Sequence, residues 1–205
     1  MKKIKSLVIS VVVALAASSL FAQEFKGQMP QLVQAGFYTP SYACIYLKGS
    51  DKLSAKFTSN EWNTYETKIT KDTIDYDGMG GKFKNISMLR IKSNTEKSSV
   101  PLVIYVDNIT LKDDKGETVF LVDFEDGKDN GSYFSQGKPG PDNGKVVTKD
   151  GRKCFKICMT TQNLYGYNGV EVQWTLPKTG KKKNENWDFS SGKYTVSYDY
   201  FIEEK

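Results

Sequence analysis

Apolar and polar residues alternate with a period of two along most of this chain, and that spacing predicts strands rather than helices. The pattern runs over 31–38, 43–47, 53–58, 64–70, 86–91, 102–111, 118–124, 153–160, 169–176 and 193–202. Between these stretches lie clusters with turn chemistry, such as Tyr76-Asp77-Gly78-Met79-Gly80-Gly81 and Gln136-Gly137-Lys138-Pro139-Gly140-Pro141-Asp142-Asn143-Gly144. About ten short strands with frequent turns, and no long apolar helical pattern after the first residues, predict an all-β antiparallel sandwich of the jelly-roll kind.

The first 22 residues break the pattern and read as an export signal. Lys2, Lys3 and Lys5 form a basic start, residues 7–17 are apolar, and Leu20-Phe21-Ala22 offers a small residue before a cut. The apolar run is too short to span a bilayer. A secreted or periplasmic protein is expected, starting near Gln23 and free of the membrane once the signal is removed. The remaining 23–205 suits a single domain with a sizeable core.

Two strands carry carboxylates where a strand normally stays apolar. Val103-Ile104-Tyr105-Val106-Asp107-Asn108-Ile109-Thr110-Leu111 is followed by Val119-Phe120-Leu121-Val122-Asp123-Phe124-Glu125-Asp126-Gly127. Lys112-Asp113-Asp114-Lys115-Gly116-Glu117 between them has the composition of a hairpin loop. A carboxylate inside a strand must be paired, metal-bound or turned to water, because an unpaired buried charge is costly. A hard cation between neighbouring strands is one answer, and pairing with lysines is the other.

Composition narrows the chemistry. The chain has no histidine and three cysteines, so serine-histidine and cysteine-histidine devices are excluded. Cys154 and Cys158 share one face of a strand about 13 Å apart, too far for a disulfide; Cys44 can meet either only from a neighbouring strand. Zinc-ligand spacing is absent. The net charge of +5 is scattered. Its single run, Lys181-Lys182-Lys183, reads as a solvated loop tip rather than a nucleic-acid site. A glycosidase needs two facing carboxylates; Glu171 and Asp199 are the only outward strand carboxylates that could serve, and nothing in the sequence fixes their separation. The chain therefore reads as non-catalytic.

The ordered set of motifs resembles a jelly-roll carbohydrate-binding module of the xylan-, β-glucan- and mannan-binding type. Residues 117–205 look like its opening half, through Val122-Asp123-Phe124-Glu125-Asp126-Gly127, the strand at 153–159, Tyr167-Asn168-Gly169-Val170-Glu171-Val172 and Gly192-Lys193-Tyr194-Thr195-Val196-Ser197-Tyr198-Asp199-Tyr200. Residues 24–112 look like its closing half, through Trp62-Asn63-Thr64-Tyr65-Glu66-Thr67-Lys68-Ile69 and Tyr105-Val106-Asp107-Asn108-Ile109-Thr110-Leu111. The order is reversed relative to the family. Two arrangements follow: one circularly permuted domain, or two half-modules that complete each other in a domain-swapped dimer.

The resemblance implies a structural Ca²⁺ held by Asp107 and Glu125, a polysaccharide partner and no catalysis. Sugar rings stack on exposed aromatic side chains while amide and carboxyl groups take the hydroxyls. The residues expected to do this are Tyr165 and Tyr167 in a polar loop, Glu171 and Gln173 on the outward side of their strand, and Gln34 and Tyr38 on theirs. Trp187 fits either a loop platform or a cap on the sandwich; Trp174, in phase with Val170 and Val172, is expected in the core, and Trp62 is expected to pack. The reading from another class is a structural or adhesive exported sandwich without a sugar site.

Overall fold

The computed structural model describes residues 33–49, 60–96, 102–129, 131–136, 140–159, 167–179 and 185–203, with the backbone alone considered at 92–96, 102, 132–136, 159 and 167–171. The leader and the predicted strand at 53–58 lie outside these residues. Among the described residues twelve strands are formed: β1 Gln34–Tyr38, β2 Cys44–Leu47, β3 Trp62–Lys68, β4 Ile74–Asp77, β5 Met88–Glu96, β6 Leu102–Lys112, β7 Thr118–Val122, β8 Ser132–Gln136, β9 Lys145–Lys149, β10 Arg152–Met159, β11 Tyr167–Thr175 and β12 Thr195–Glu203. A single turn of 3₁₀ helix at Lys71–Thr73 is the one helical element among the described residues.

The strands make two antiparallel sheets. The first has the order β4-β2-β1-β5-β11-β8 and the second β3-β12-β6-β10-β9, with β7 also on β6. Both sheets mix strands from the two halves of the sequence. In the second, β12 from the end of the chain lies between β3 and β6. One edge of β6 serves two partners: its residues from Leu102 to Val106 pair with β10, and those from Ile109 to Lys112 pair with β7. The changeover falls at Asp107-Asn108, where Asn108 takes a left-handed backbone (φ 48) and the register against β12 shifts. The hairpin from β6 to β7 closes as its composition demands. Asp113 accepts hydrogen bonds from the N–H of Lys115 and Glu117, and Gly116 supplies the positive φ.

One hydrophobic core fills the space between the sheets. Phe37, Ile45, Leu89, Ile91, Val172 and Trp174 from the first sheet meet Ile104, Val106, Phe155, Ile157, Val196 and Tyr198 from the second. The alternation that predicted the strands is thus the alternation of core and outer positions. Two deeply buried polar tips find partners: the Tyr198 hydroxyl donates to the Val33 carbonyl and the Trp174 indole to the Asp129 carbonyl. Burial also holds the Tyr198 phenol far above its ordinary pKa.

Three strands escape the sequence pattern. Ile74–Asp77, Ser132–Gln136 and Lys145–Lys149 are short, polar and at or near sheet edges, where one side chain in two needs no apolar character. No disulfide joins the three cysteines. Cys44 stands on β2 of one sheet and Cys154 and Cys158 on β10 of the other, so the sandwich itself keeps them apart.

Candidate functional site

The outer face of the first sheet is built by the residues that alternate with the core. Ala35 and Phe37 point inward, so Gln34, Gly36 and Tyr38 point outward. Ile45 and Leu47 place Cys44 and Tyr46 outward in the same way; Leu89 and Ile91 do so for Arg90, and Val172 and Trp174 for Gln173. The strand registers align Tyr76, Tyr46, Gly36, Arg90 and Gln173 in one row across β4, β2, β1, β5 and β11. Four strand steps make this row about 19 Å long.

The rings along the row touch. Tyr46 lies 5.8 Å from Tyr38 and 5.9 Å from Tyr76, centroid to centroid. The Tyr38 and Tyr46 hydroxyls hydrogen-bond to each other. The Arg90 guanidinium sits 4.0 Å above the Tyr38 ring and 5.7 Å from that of Tyr42, and its Nε donates to Gln173 Oε1 at 2.8 Å. Tyr42 is 62% exposed and Tyr76 54%. With Leu121 they are the exposed large hydrophobic side chains among the described residues. The Tyr76 strand runs into a turn fastened by Asp77, whose carboxylate accepts the N–H of Met79 and Gly81.

Gly36 makes room for this arrangement. A Cβ there would stand 2.8 Å from the Tyr46 ring and 3.3 Å from that of Tyr38. A glycine inside a strand is otherwise unfavourable, and its use here is close approach. Gly36→Val is expected to push the Tyr46 ring off the strand, lowering stability by about 1–3 kcal/mol and weakening ligand retention on an affinity gel. Unchanged retention by a folded Gly36→Val variant would remove Tyr46 from the site.

The expected sugar-site residues divide three ways. Gln34, Tyr38 and Gln173 do come together on this face. Gln34 and Tyr38 are 5% and 4% exposed, however, and form its floor rather than its contact surface; Gln34 Nε2 donates to the Leu47 carbonyl and to Asp75. Trp187 requires a correction. It is 5% exposed, packs on Phe189 and Tyr194, and gives its indole N–H to the Pro177 carbonyl. It caps the core and offers no platform. Tyr165 lies outside the described residues, as do the side chains of Tyr167 and Glu171; Glu171 is the register partner of Lys92 on β5. Sequence reasoning missed Tyr42, Tyr46, Tyr76 and Arg90. The Ile45/Leu47 and Leu89/Ile91 alternations carried the signal for Tyr46 and Arg90.

The acidic strand residues meet a cation of the protein's own. On the outer face of the second sheet, Arg152 Nη2 reaches Asp107 Oδ2 at 2.8 Å and Asp199 Oδ2 at 2.5 Å, and its Nε donates to Asp107 at 3.0 Å. Asp107 also accepts the Asn108 N–H, and Asp199 accepts from Thr64 Oγ1 and Asn108 Nδ2. The guanidinium lies 4.2 Å over the Trp62 ring, so Trp62 packs as expected. Glu125 is exposed, and its carbonyl accepts the Lys153 ammonium. These surroundings do not fit the calcium shell that the resemblance implies. Both Asp107 oxygens are engaged, cationic side chains stand beside both expected ligands, and no group of three or more His, Cys, Asp or Glu among the described residues is placed to hold a metal.

Two carboxylates share one guanidinium, so their proton affinities separate. Burial raises the Asp107 pKa above its ordinary 3.8 despite the Asn108 and Arg152 bonds. Burial pushes Asp199 the same way, but hydrogen bonds from Thr64, Arg152 and Asn108 together hold it below 3.8. As pH falls, Asp107 is therefore expected to take a proton first. The fold binds that proton more tightly than the unfolded chain, so stability on its account rises as pH drops through the interval above 3.8. The stabilising charge on Asp199 is lost only as pH falls through its own lower value. Carboxyl ¹³C titrations check this order, and Asp199 protonating before Asp107 would contradict it.

No protein-family model matches the chain, and no curated protein shows significant similarity to it.

The function must then be argued from the chemistry of these surfaces. The second sheet's cluster is closed on itself, each carboxylate satisfied by internal donors. The first sheet's outer face differs. It is a continuous aromatic strip, exposed at Tyr42 and Tyr76, with amide and guanidinium groups beside the rings. Such a strip can stack on flat apolar surfaces and hydrogen-bond their hydroxyls.

Proposed function

We propose that the protein is an exported, non-catalytic binder of polysaccharide, and that the outer face of β4-β2-β1-β5-β11 is its glycan surface. The observation that carries this reading is the row of Tyr76, Tyr46, Arg90 and Gln173 across five strands, flanked by Tyr42. A monomeric sandwich rarely leaves contiguous aromatic surface in water without a use for it. Tyrosine suits this use, because its ring stacks and its hydroxyl bonds. The row crosses the strands and is long enough for several sugar units of an extended β-glycan. A non-catalytic role is supported by the lack of histidine and by Asp199, one of the two carboxylates that the sequence offered for catalysis, being held by Arg152.

Affinity electrophoresis and calorimetry against xylan, mannan, β-glucan and cellulose test the proposal. Binding to at least one, weakened by substitutions at Tyr42 and Tyr76, is expected. Failure to bind any of them, with the fold intact, would favour a structural or adhesive sandwich instead.

A further inference from the structure

The second sheet has a notch along one side. On β6, β7 takes the same flank as β10, and β10 carries β9 on its far side. β7 carries no such neighbour. Among the described residues it pairs with β6 alone, and no other backbone hydrogen bond reaches Thr118–Val122. In an antiparallel pair every second residue turns its N–H and C=O away from the partner. β7 thus presents a row of unpaired main-chain groups, in line with β9. Such edges are usually blunted by lysine or proline. β9 follows that rule, with Lys145 and Lys149 at its ends. β7 carries no charge and no proline, and its Leu121 is 50% exposed.

Beside this edge the space between the sheets stands open. Phe120 and Val122 lie opposite the core residues Leu111 and Ile109 and so face inward, yet they are only half-buried. With Phe124 and Trp174 they line a cleft of about 260 Å³. A strand laid along β7 sends alternate side chains into this cleft, beside the inward residues of β7.

Charge identifies the strand that fits. Glu117 precedes β7, and Asp123, Glu125 and Asp126 follow it. Lys128 answers Asp126 at 3.7 Å, while the exposed Glu117 and Glu125 are in no ion pair among the described residues. A second copy pairing edge to edge about Phe120 sets Glu117 against Asp123, like charge on like charge. A strand with basic ends meets the opposite sign at both.

We propose that the outer edge of β7 is a strand-addition site for an extended peptide segment of a partner protein, one with apolar side chains at alternate positions and lysine or arginine at its ends. Main-chain hydrogen bonds to β7 supply affinity, and the cleft and the acidic ends supply specificity. The site lies on the other sheet from the aromatic row, and its test does not depend on glycan binding.

Calorimetry on the full chain uses a blocked peptide as long as β7, alternating valine and threonine, with lysine added at each end, and the same peptide with glutamate at each end. The lysine form is expected to bind about tenfold or more tightly, by a margin that shrinks as sodium chloride is raised. N-methylation of alternate peptide amides is expected to abolish binding in one phase and to be tolerated in the other, because only one set of N–H groups faces β7. Glu117→Lys combined with Glu125→Lys is expected to turn the preference toward the glutamate form, with thermal unfolding as the control on the fold. No binding of either peptide, equal binding of both, or indifference to N-methylation in both phases would overturn the proposal. So would a dimer of the unsubstituted chain in sedimentation that Leu121→Lys dissociates, since the edge then belongs to a second copy. Should the double variant fail to fold, the peptide and salt comparisons on the unsubstituted chain decide the matter.

Discussion

Arg152→Met is expected to destabilise the sandwich by about 3 kcal/mol, near the lower end of what is lost when one partner of a buried ion pair is removed. The reason lies in what is left behind. The Asp107 side chain is 4% exposed and that of Asp199 18%, and both lose their guanidinium at once. The two like charges then face each other across β6 and β12. The partial exposure of Arg152, at 31%, keeps the loss from being larger. For a chain of this size the melting temperature should fall by roughly 6–12 °C. Arg152→Lys keeps a charge but cannot serve both carboxylates with the same fork, and an intermediate fall is expected. Thermal unfolding followed by circular dichroism is the measurement. A melting temperature within a degree or two of the parent would show that the cluster is solvated and does not hold the strands.

The joint substitution Tyr42→Ala and Tyr76→Ala is expected to do the opposite, removing binding while leaving the fold. Both side chains are more than half exposed, and substitutions at such positions usually change stability by no more than about 0.5 kcal/mol. Truncating an aromatic anchor in a binding surface typically costs about 2 kcal/mol, or roughly 30-fold in affinity, and two anchors cost more. Retardation on glycan-containing gels and calorimetry give the affinity, and thermal unfolding gives the control. Full affinity in the double variant would place the ligand elsewhere on the molecule. A large fall in melting temperature would show the two rings to be structural.

The sheets were legible because alternation is a local property. Phe37, Ile45, Leu89, Ile91, Val172 and Trp174 each sit in phase with apolar neighbours, and each lies in the core. Edge strands such as Ile74–Asp77 and Lys145–Lys149 lack that signal, since few of their positions need be apolar. The demand that Asp107 be paired was also legible, because no strand hides a lone carboxylate cheaply. Its partner was not. Arg152 lies 45 residues away in sequence, and only the antiparallel register of β10 on β6, with β12 on the other side, brings it there. A guanidinium and a calcium ion answer the same electrostatic need, and local sequence does not distinguish them.

The proposed binding face was half visible for a related reason. Outward positions on β1 and β11 follow from their apolar neighbours, so Tyr38 and Gln173 were found. Tyr76 is embedded in a turn-like cluster, and its strand was not anticipated. Trp187 stayed open between platform and cap because its surroundings are polar in sequence; its antiparallel bridge to Ile86 and its burial make it a cap.

The most direct test of the central claim is a heteronuclear NMR titration of the protein with xylan, mannan and β-glucan oligosaccharides. The outer-face reading predicts that shift changes concentrate at Tyr42, Tyr46, Tyr76, Arg90 and Gln173 and leave Arg152, Trp62 and the second sheet unchanged. Shifts centred on the second sheet, or a spectrum that does not respond to any glycan, would contradict it.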